Sequence, residues 1–177
     1  TYRHSLFCGV MHLPYGNIFP IGENTFLDLV IEGVGTKVLV AQLSQKYDTI
    51  GIDAVAMAVN DVIRSGAKPL SIADNIHAQA SEPTLVNAWL KGIIQGAHES
   101  ECPVTGGETG DVAELIKGLT ENAGFDMVVA SVGRVERKEI ITGENINPSD
   151  PIIGLASSGL HSNAITLARK ILFKQWG

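Results

Sequence analysis

The block IGIDAVAMAVNDVIRSG, residues 50–66, constrains the fold more than any other stretch. Its apolar positions Ile52, Val55, Val59, Val62 and Ile63 recur at the three- and four-residue spacing of a single helical face. A helix patterned in this way has to bury that face against another layer. Asp48 and Thr49 are candidate N-caps, and Gly66 is a candidate residue just past the C-terminus. The other layer is sought in short apolar runs. FLDLVI (Phe26 to Ile31), PLSIADNI and GFDMVVASVGRVER read as strands, and CPVTGGETGD as a strand running into a glycine turn. VLVAQLSQ and the stretch from Pro83 to Ser100, with Ser81 as its cap, read as further helices. LIKGLTENAG is a polar break.

The two ends of the chain read differently. Residues 1–24 mix Gly, Pro, His and aromatics without a period and are expected to form an irregular arm. Residues 25–148 hold the main pattern, and ENINPSDP has the composition of a linker. After it come a strand IIGLAS, a turn SSGLHSN and a helix AITLARKILF. One strand and one helix cannot bury a core alone, so residues 149–177 are expected to begin a truncated second domain.

Composition narrows the function classes. A formal net charge of −6, with 13 scattered Lys and Arg, lacks the clustered basic surface that nucleic acid requires. No apolar run approaches the roughly 18 residues of a membrane helix, and no signal-peptide pattern opens the chain. Two cysteines, Cys8 and Cys102, are too few for a disulfide framework and fit a reduced, cytoplasmic setting.

Chemistry collects at the element ends. In VIEGVGTKVLV a glycine-rich turn and Lys37 suit an anion, yet Glu32 stands directly against them. One reading places a cation between Glu32 and a phosphate; the other is a tight strand-to-helix turn with a solvated lysine. Asp53, Met57, Asn60 and Arg64 fall on one side of the central helix, with Asp61 farther round from the core. They form either a solvated polar flank or a cleft wall in which Asn60 and Asp61 serve as oxygen ligands. Asp74 ends an apolar run, and GGETGD supplies Glu108, Thr109 and Asp111. Carboxylates such as Glu32, Asp61, Asp74 and Glu108 are the hard ligands that Mg²⁺ takes together with substrate phosphates. The turn from Ser157 to Asn163 offers backbone, hydroxyl and amide donors before a helix, with His161 among them.

EGVGTKVLVAQ, YDTIGIDAVAMAVNDVIRSGAKP, VTGGETGD, GFDMVVASVGRVERKEIITG and IGLASSGLHSNAITLARKIL occur here in the order in which the aminoimidazole ribonucleotide synthetase family carries them. From Glu32 to Leu172 the chain resembles that family, also called phosphoribosylformylglycinamidine cyclo-ligase. The resemblance implies an α+β ATP-binding domain with a mixed sheet that dimerises through the sheet, followed by the start of a second α/β domain. It implies ATP and Mg²⁺ as cofactors and formylglycinamidine ribonucleotide as a small-molecule substrate. The implied assembly is a cytoplasmic homodimer with no nucleic-acid or membrane partner. It further implies that Gly33, Gly35, Thr36 and Lys37 line the nucleotide phosphates, with Asn60, Gly106, Gly107 and Thr109 near the nucleotide. Glu32, Asp61 and Glu108 would hold the metal. Ser158, Gly159, His161, Ser162 and Asn163 would hold the substrate phosphate, and Lys37, Asp61 and His161 would act at the reacting groups. Members of the family usually have Asp where this chain has Glu32, Ala-Glu-Met-Pro where it has Gly110 to Ala113, and Asp-Tyr where it has Asp74-Asn75. Two alternatives stay open: a sibling ATP-dependent phosphotransferase of the thiamine-monophosphate kinase or selenophosphate synthetase type, and a non-catalytic nucleotide-binding dimerisation module.

Overall fold

The computed structural model describes residues 18–175. The first seventeen residues of the expected arm, Cys8 among them, lie outside the described residues. Five strands form one mixed sheet: β1 (Ile18–Pro20), β2 (Thr25–Gly33), β3 (Lys68–Ala78), β4 (Val104–Asp111) and β5 (Phe125–Glu136). Their spatial order is β1-β2-β5-β3-β4, antiparallel throughout except for the parallel β3–β4 pair. The helices are α1 (Lys37–Ser44), α2 (Ile50–Ile63), α3 (Pro83–Glu99) and the short α4 (Ile165–Arg169), which continues as a π-helical stretch over Lys170–Gln175. The parallel pair follows from connectivity, because α3 provides the crossover that parallel strands require.

Strand alternation separates the two faces of the sheet. Along β5, Phe125, Met127, Val129, Ser131 and Val135 are buried, while Asp126, Val128, Ala130 and Val132 are only partly covered. The buried face meets α2 and α3 in a core containing Val55, Val59, Ile72, Ile76, Trp89 and Ile93. The Trp89 and Phe125 rings sit 4.7 Å apart in a tilted stack. A smaller cluster of Ile18, Phe26, Val30, Val62, Ala67 and Val135 closes the other end.

The helical face of α2 differs in detail from its apolar spacing. Val55, Val59 and Val62 are buried as expected, but Ile63 is 48% exposed. The buried positions also include Gly51, Ala54 and Ala58, and α3 approaches α2 closely at Gly51 and Val55. A Cβ added to Gly51 would lie 2.4 Å from the Ile93 amide nitrogen, and one on Gly92 would lie 2.6 Å from the Asp48 carbonyl oxygen. The contact is therefore backbone against backbone.

Five local expectations change. Ile18–Pro20, inside the expected irregular arm, pairs with β2 as an edge strand. Gly106 and Gly107 are not a turn: β4 continues through GGETGD, paired in parallel with β3 from Gly106 to Asp111 after a register shift. IIGLAS forms no strand; Ile152, Ile153 and Leu155 are 100%, 82% and 93% exposed, with no neighbouring strand to pair with among the described residues. The last helix is split, with Ala164 at φ 60° as its N-cap and α-helical bonding only over Ile165–Arg169. Thr49 does occupy the N-cap of α2, whereas α3 is entered from Glu82, and the Ser81 hydroxyl instead donates to the Asp111 carboxylate.

The helix contact gives a direct stability test. Gly92→Ala should destabilise the fold by about 1–3 kcal/mol through backbone overpacking. Gly110→Ala, where a Cβ meets nothing within 4 Å, should cost much less. Chemical denaturation of both variants makes the comparison, and equal midpoints would contradict the close packing.

Candidate functional site

Strand β2 ends in the glycine loop, where Val34 is buried and its amide donates to the Met127 carbonyl at 3.1 Å. Gly35 turns the chain at φ 54°, a left-handed conformation that glycine adopts without a Cβ penalty. The chain then enters α1, whose first amides bond locally: Lys37 to Val34, Val38 to Gly35 and Leu39 to Thr36, at 3.2–3.3 Å. Lys37 projects from this first turn and pairs with Asp53 of α2 at 2.8 Å. The Thr36 hydroxyl meets that of Thr166 at 2.8 Å, tying the loop to α4.

Beside this loop lies a cavity of about 400 Å³ lined by Glu32, Asp53, Ala56, Met57, Asn60, Asp61, Arg64 and the turn residues His161, Ser162 and Asn163. One wall is the polar side of α2. The position of Glu32 follows from strand alternation: it pairs with Val129, on the helix-covered face, and so points under α2 toward Asp61. Burial, reinforced by the charge of Asp61 and a hydrogen bond with it, pushes the Glu32 carboxyl up; the Arg64 guanidinium acts in the opposite sense. Arg64 pairs with Asp61 at 2.8 Å and also donates from Nε to its carbonyl at 3.3 Å. The Ser157 hydroxyl bonds to the Gly159 carbonyl at 2.6 Å and lies 3.1 Å from His161 Nε2, which braces the turn.

The structure thus gathers Glu32, Asn60, Asp61, His161, Ser162 and Asn163 around one space, with Lys37 tied to its edge through Asp53. Gly33, Gly35 and Thr36 form the adjoining loop, and Ser158 and Gly159 belong to the braced turn without lining the cavity. The other expected residues lie apart. Glu108 pairs with Asn75, and through it shares a row with Val128 on the uncovered face. Three strand spacings separate β4 from β2, about 14 Å, so Glu108 does not join Glu32 and Asp61 within one chain. Among the described residues no three His, Cys, Asp or Glu side chains come together as a metal-holding group. Gly106, Gly107 and Thr109 are held in β4 opposite Ala73, Asp74 and Ile76. Gly107 faces Asp74 so closely that a Cβ there would meet Oδ1 at 2.5 Å, and burial raises the Asp74 carboxyl.

Reading the sequence for ligands left Asp53 and Arg64 without roles, although both line the cavity and each pairs with an expected site residue. The signal was present in the spacing of Asp53, Met57, Asn60 and Arg64, which returns to one side of the helix every three or four residues. As for a divalent cation, Glu32, Asp61 and the Asn60 amide supply the hard oxygens it takes. Two carboxylates are also the usual protein share of a Mg²⁺ site.

Comparison with known proteins shows what the chain is similar to. Residues 12–135 match the family described as AIR synthase related protein, N-terminal domain. A phosphoribosylformylglycinamidine cyclo-ligase from Pyrococcus horikoshii is 42% identical over 155 residues, which is 88% of this chain and 45% of that protein. The Bacillus cereus (strain AH187) protein of the same name is 40% identical over 164 residues, 90% of this chain and 46% of that one. The chain therefore spans a little under half the length of these curated relatives. Among solved structures, PurL from Thermotoga maritima complexed with ATP superposes with a TM-score of 0.57 at 18% identity, covering 71% of this chain and 21% of that one. AaThiL complexed with AMPPCP and TMP gives 0.56 at 19%, covering 75% and 39%. At those identities the likeness is one of fold: the mixed sheet with helices on one face. The match over residues 12–135 and the 40–42% identities place the chain in the AIR synthase related family, of which it carries the N-terminal domain.

Proposed function

We propose that this chain supplies the ATP-binding portion of a phosphoribosylformylglycinamidine cyclo-ligase, which closes the imidazole ring of aminoimidazole ribonucleotide in purine biosynthesis. The observation that carries the reading is the single cavity that brings the α2 wall, with Glu32, Asn60 and Asp61, against the turn His161-Ser162-Asn163. ATP bound with Mg²⁺ would supply the phosphoryl group that makes the substrate amide oxygen a leaving group. In this reading Glu32 and Asp61 hold the cation, and Lys37 turns from Asp53 toward the nucleotide phosphates as a point charge. Asn60 orients the nucleotide by hydrogen bonding. His161, Ser162 and Asn163, with Ser158 and Gly159 behind them, receive the substrate phosphate on neutral and hydrogen-donating groups. His161 is exposed at the cavity mouth, where it can hold or pass a proton as the ring closes. A cytoplasmic location goes with this role.

The same reading has two copies pairing through the uncovered sheet face. That face carries Leu29 and Ile31, 46% and 66% exposed, beside Val128, Ala130 and Val132. An apolar stripe across two paired strands is the kind of surface that a protein partner covers. Glu108 and Asn75 sit at its border, and pairing would bring them close to the second copy.

Three measurements test the proposal. ADP release from ATP by the longest form of the protein should depend on formylglycinamidine ribonucleotide and match aminoimidazole product; release independent of that substrate would point to a sibling reaction. Sedimentation should give twice the chain mass, and Ile31→Lys should halve it while leaving the circular dichroism spectrum unchanged; a wild-type monomer would count against the sheet pairing. The third concerns Glu32. Its carboxyl is raised in the folded chain above its ordinary 4.5, so the folded state holds the proton more firmly than the unfolded state. Stability from this group is complete below the unfolded value and is lost as pH rises through the folded one. Relative to Glu32→Gln, wild type should therefore weaken as pH rises from the ordinary 4.5 through the higher value of the folded chain, read as a falling difference in unfolding midpoint. A pH-independent difference would mean that Glu32 titrates as a free carboxylate.

A further inference from the structure

The acidic corner of the cavity already contains a cation. Arg64 caps the C-terminal end of α2, where a positive charge is favoured, and its Nη2 sits 2.8 Å from Asp61 Oδ2. Glu32 hydrogen-bonds with Asp61 and feels the Arg64 charge as well. Two neighbouring carboxylates at the rim of a cavity repel each other unless a positive group lies among them. In this structure the guanidinium fills that role, on the carboxylate that the proposed function assigns to a metal ion.

We infer that Arg64 is a stand-in cation: its guanidinium occupies the charge position on Asp61 that a divalent ion takes, and the ion must displace it to bind. The inference rests on the reading of this cavity as a metal–nucleotide site. Three features fit displacement better than a permanent brace. The pair is half open to solvent, with the Arg64 side chain 46% exposed and that of Asp61 30% exposed, so it is a weak pair that a dication can break. It joins residues three apart on one helix end, which the helix does not need in order to fold. Arg64 also lines the same cavity as His161, Ser162 and Asn163, so a displaced guanidinium stays within a space where anionic groups would be received. Arg64 thus keeps the corner near neutral while the cavity awaits its ligands and sets how readily the ion enters.

Titration of Mn²⁺ alone into the nucleotide-free full-length protein, followed by the electron paramagnetic resonance signal of the free ion, tests this. Arg64→Gln should bind Mn²⁺ about two- to fivefold more tightly than wild type, and Arg64→Lys should fall between them. Asp61→Asn should lose the site, and circular dichroism should be unchanged in all three variants. Equal or weaker binding by Arg64→Gln, with binding still lost in Asp61→Asn, overturns the role of Arg64 and leaves the metal reading standing. Mn²⁺ binding that is absent from both wild type and Arg64→Gln, or indifferent to Asp61→Asn, overturns both.

Discussion

The rest of the fold depends on how closely α3 lies on α2. Gly51 and Gly92 let the two backbones touch, and Gly96 rests on Val55, where an added Cβ would come within 2.9 Å of the Val55 Cβ. At that separation the rotation of α2 about its own axis is no longer free: Gly51 and Val55 must face α3, and Val62 must face Gly133 of the sheet. The opposite side, carrying Asp53, Asn60, Asp61 and Arg64, is thereby aimed at the end of β2. A larger residue at the crossing would roll the helix, moving the core face and the cavity wall together. Packing and site geometry are in this sense one constraint, set by close-packed contacts that tolerate little change in volume.

A second constraint is charge. The cavity pairs each of its outward charges internally, Lys37 with Asp53 and Asp61 with Arg64. An acidic protein that binds anionic ligands has to keep such charges from repelling or over-attracting before the ligand arrives, and paired side chains accomplish this at little energetic cost near the surface. The burial that raises Glu32 acts in the same direction, holding one carboxyl closer to neutrality in a corner that already has another. The unusual Glu at this position fits the geometry, since the longer side chain lets it reach Asp61 from beneath α2.

Much of this was legible in the sequence, and the exceptions share a cause. The α2 helix, its Thr49 start, the α1 and α3 helices and the long β5 strand follow from periodicity and caps, which are local properties. Glycines misled where they serve a strand: Gly106 and Gly107 read as a turn, but they pair with β3 as part of β4, and Gly107 is small because Asp74 stands over it. The edge strand Ile18–Pro20 was hidden because three residues carry no period; only the waiting edge of β2 makes them a strand. IIGLAS has strand composition but pairs with no strand among the described residues. For the site, sequence reasoning found the ligand-type residues and missed their counter-charges. Which lysine or arginine meets which carboxylate depends on side-chain reach across elements, and spacing along the chain does not encode it.

Strand β2 shows how the two halves of the proposed function are linked. Its alternation places Glu32 under α2 and Ile31 on the uncovered face, so adjacent residues serve the cavity and the candidate pairing surface. A shift of one residue in the β2–β5 register would exchange them, putting a carboxylate into an apolar face and an isoleucine into the cavity. Neither role can drift without the other. The register is held on the buried side by Phe26 and Val30 and by Asp28, which accepts a 2.6 Å bond from the Ser65 hydroxyl just beyond the end of α2. That buried polar contact joins the strand to the helix whose far face forms the cavity wall. Strand register, helix rotation and the position of Asp61 are accordingly fixed by one connected set of contacts. Carboxylates at the end of this strand can be held to within a fraction of an ångström only if such a set exists.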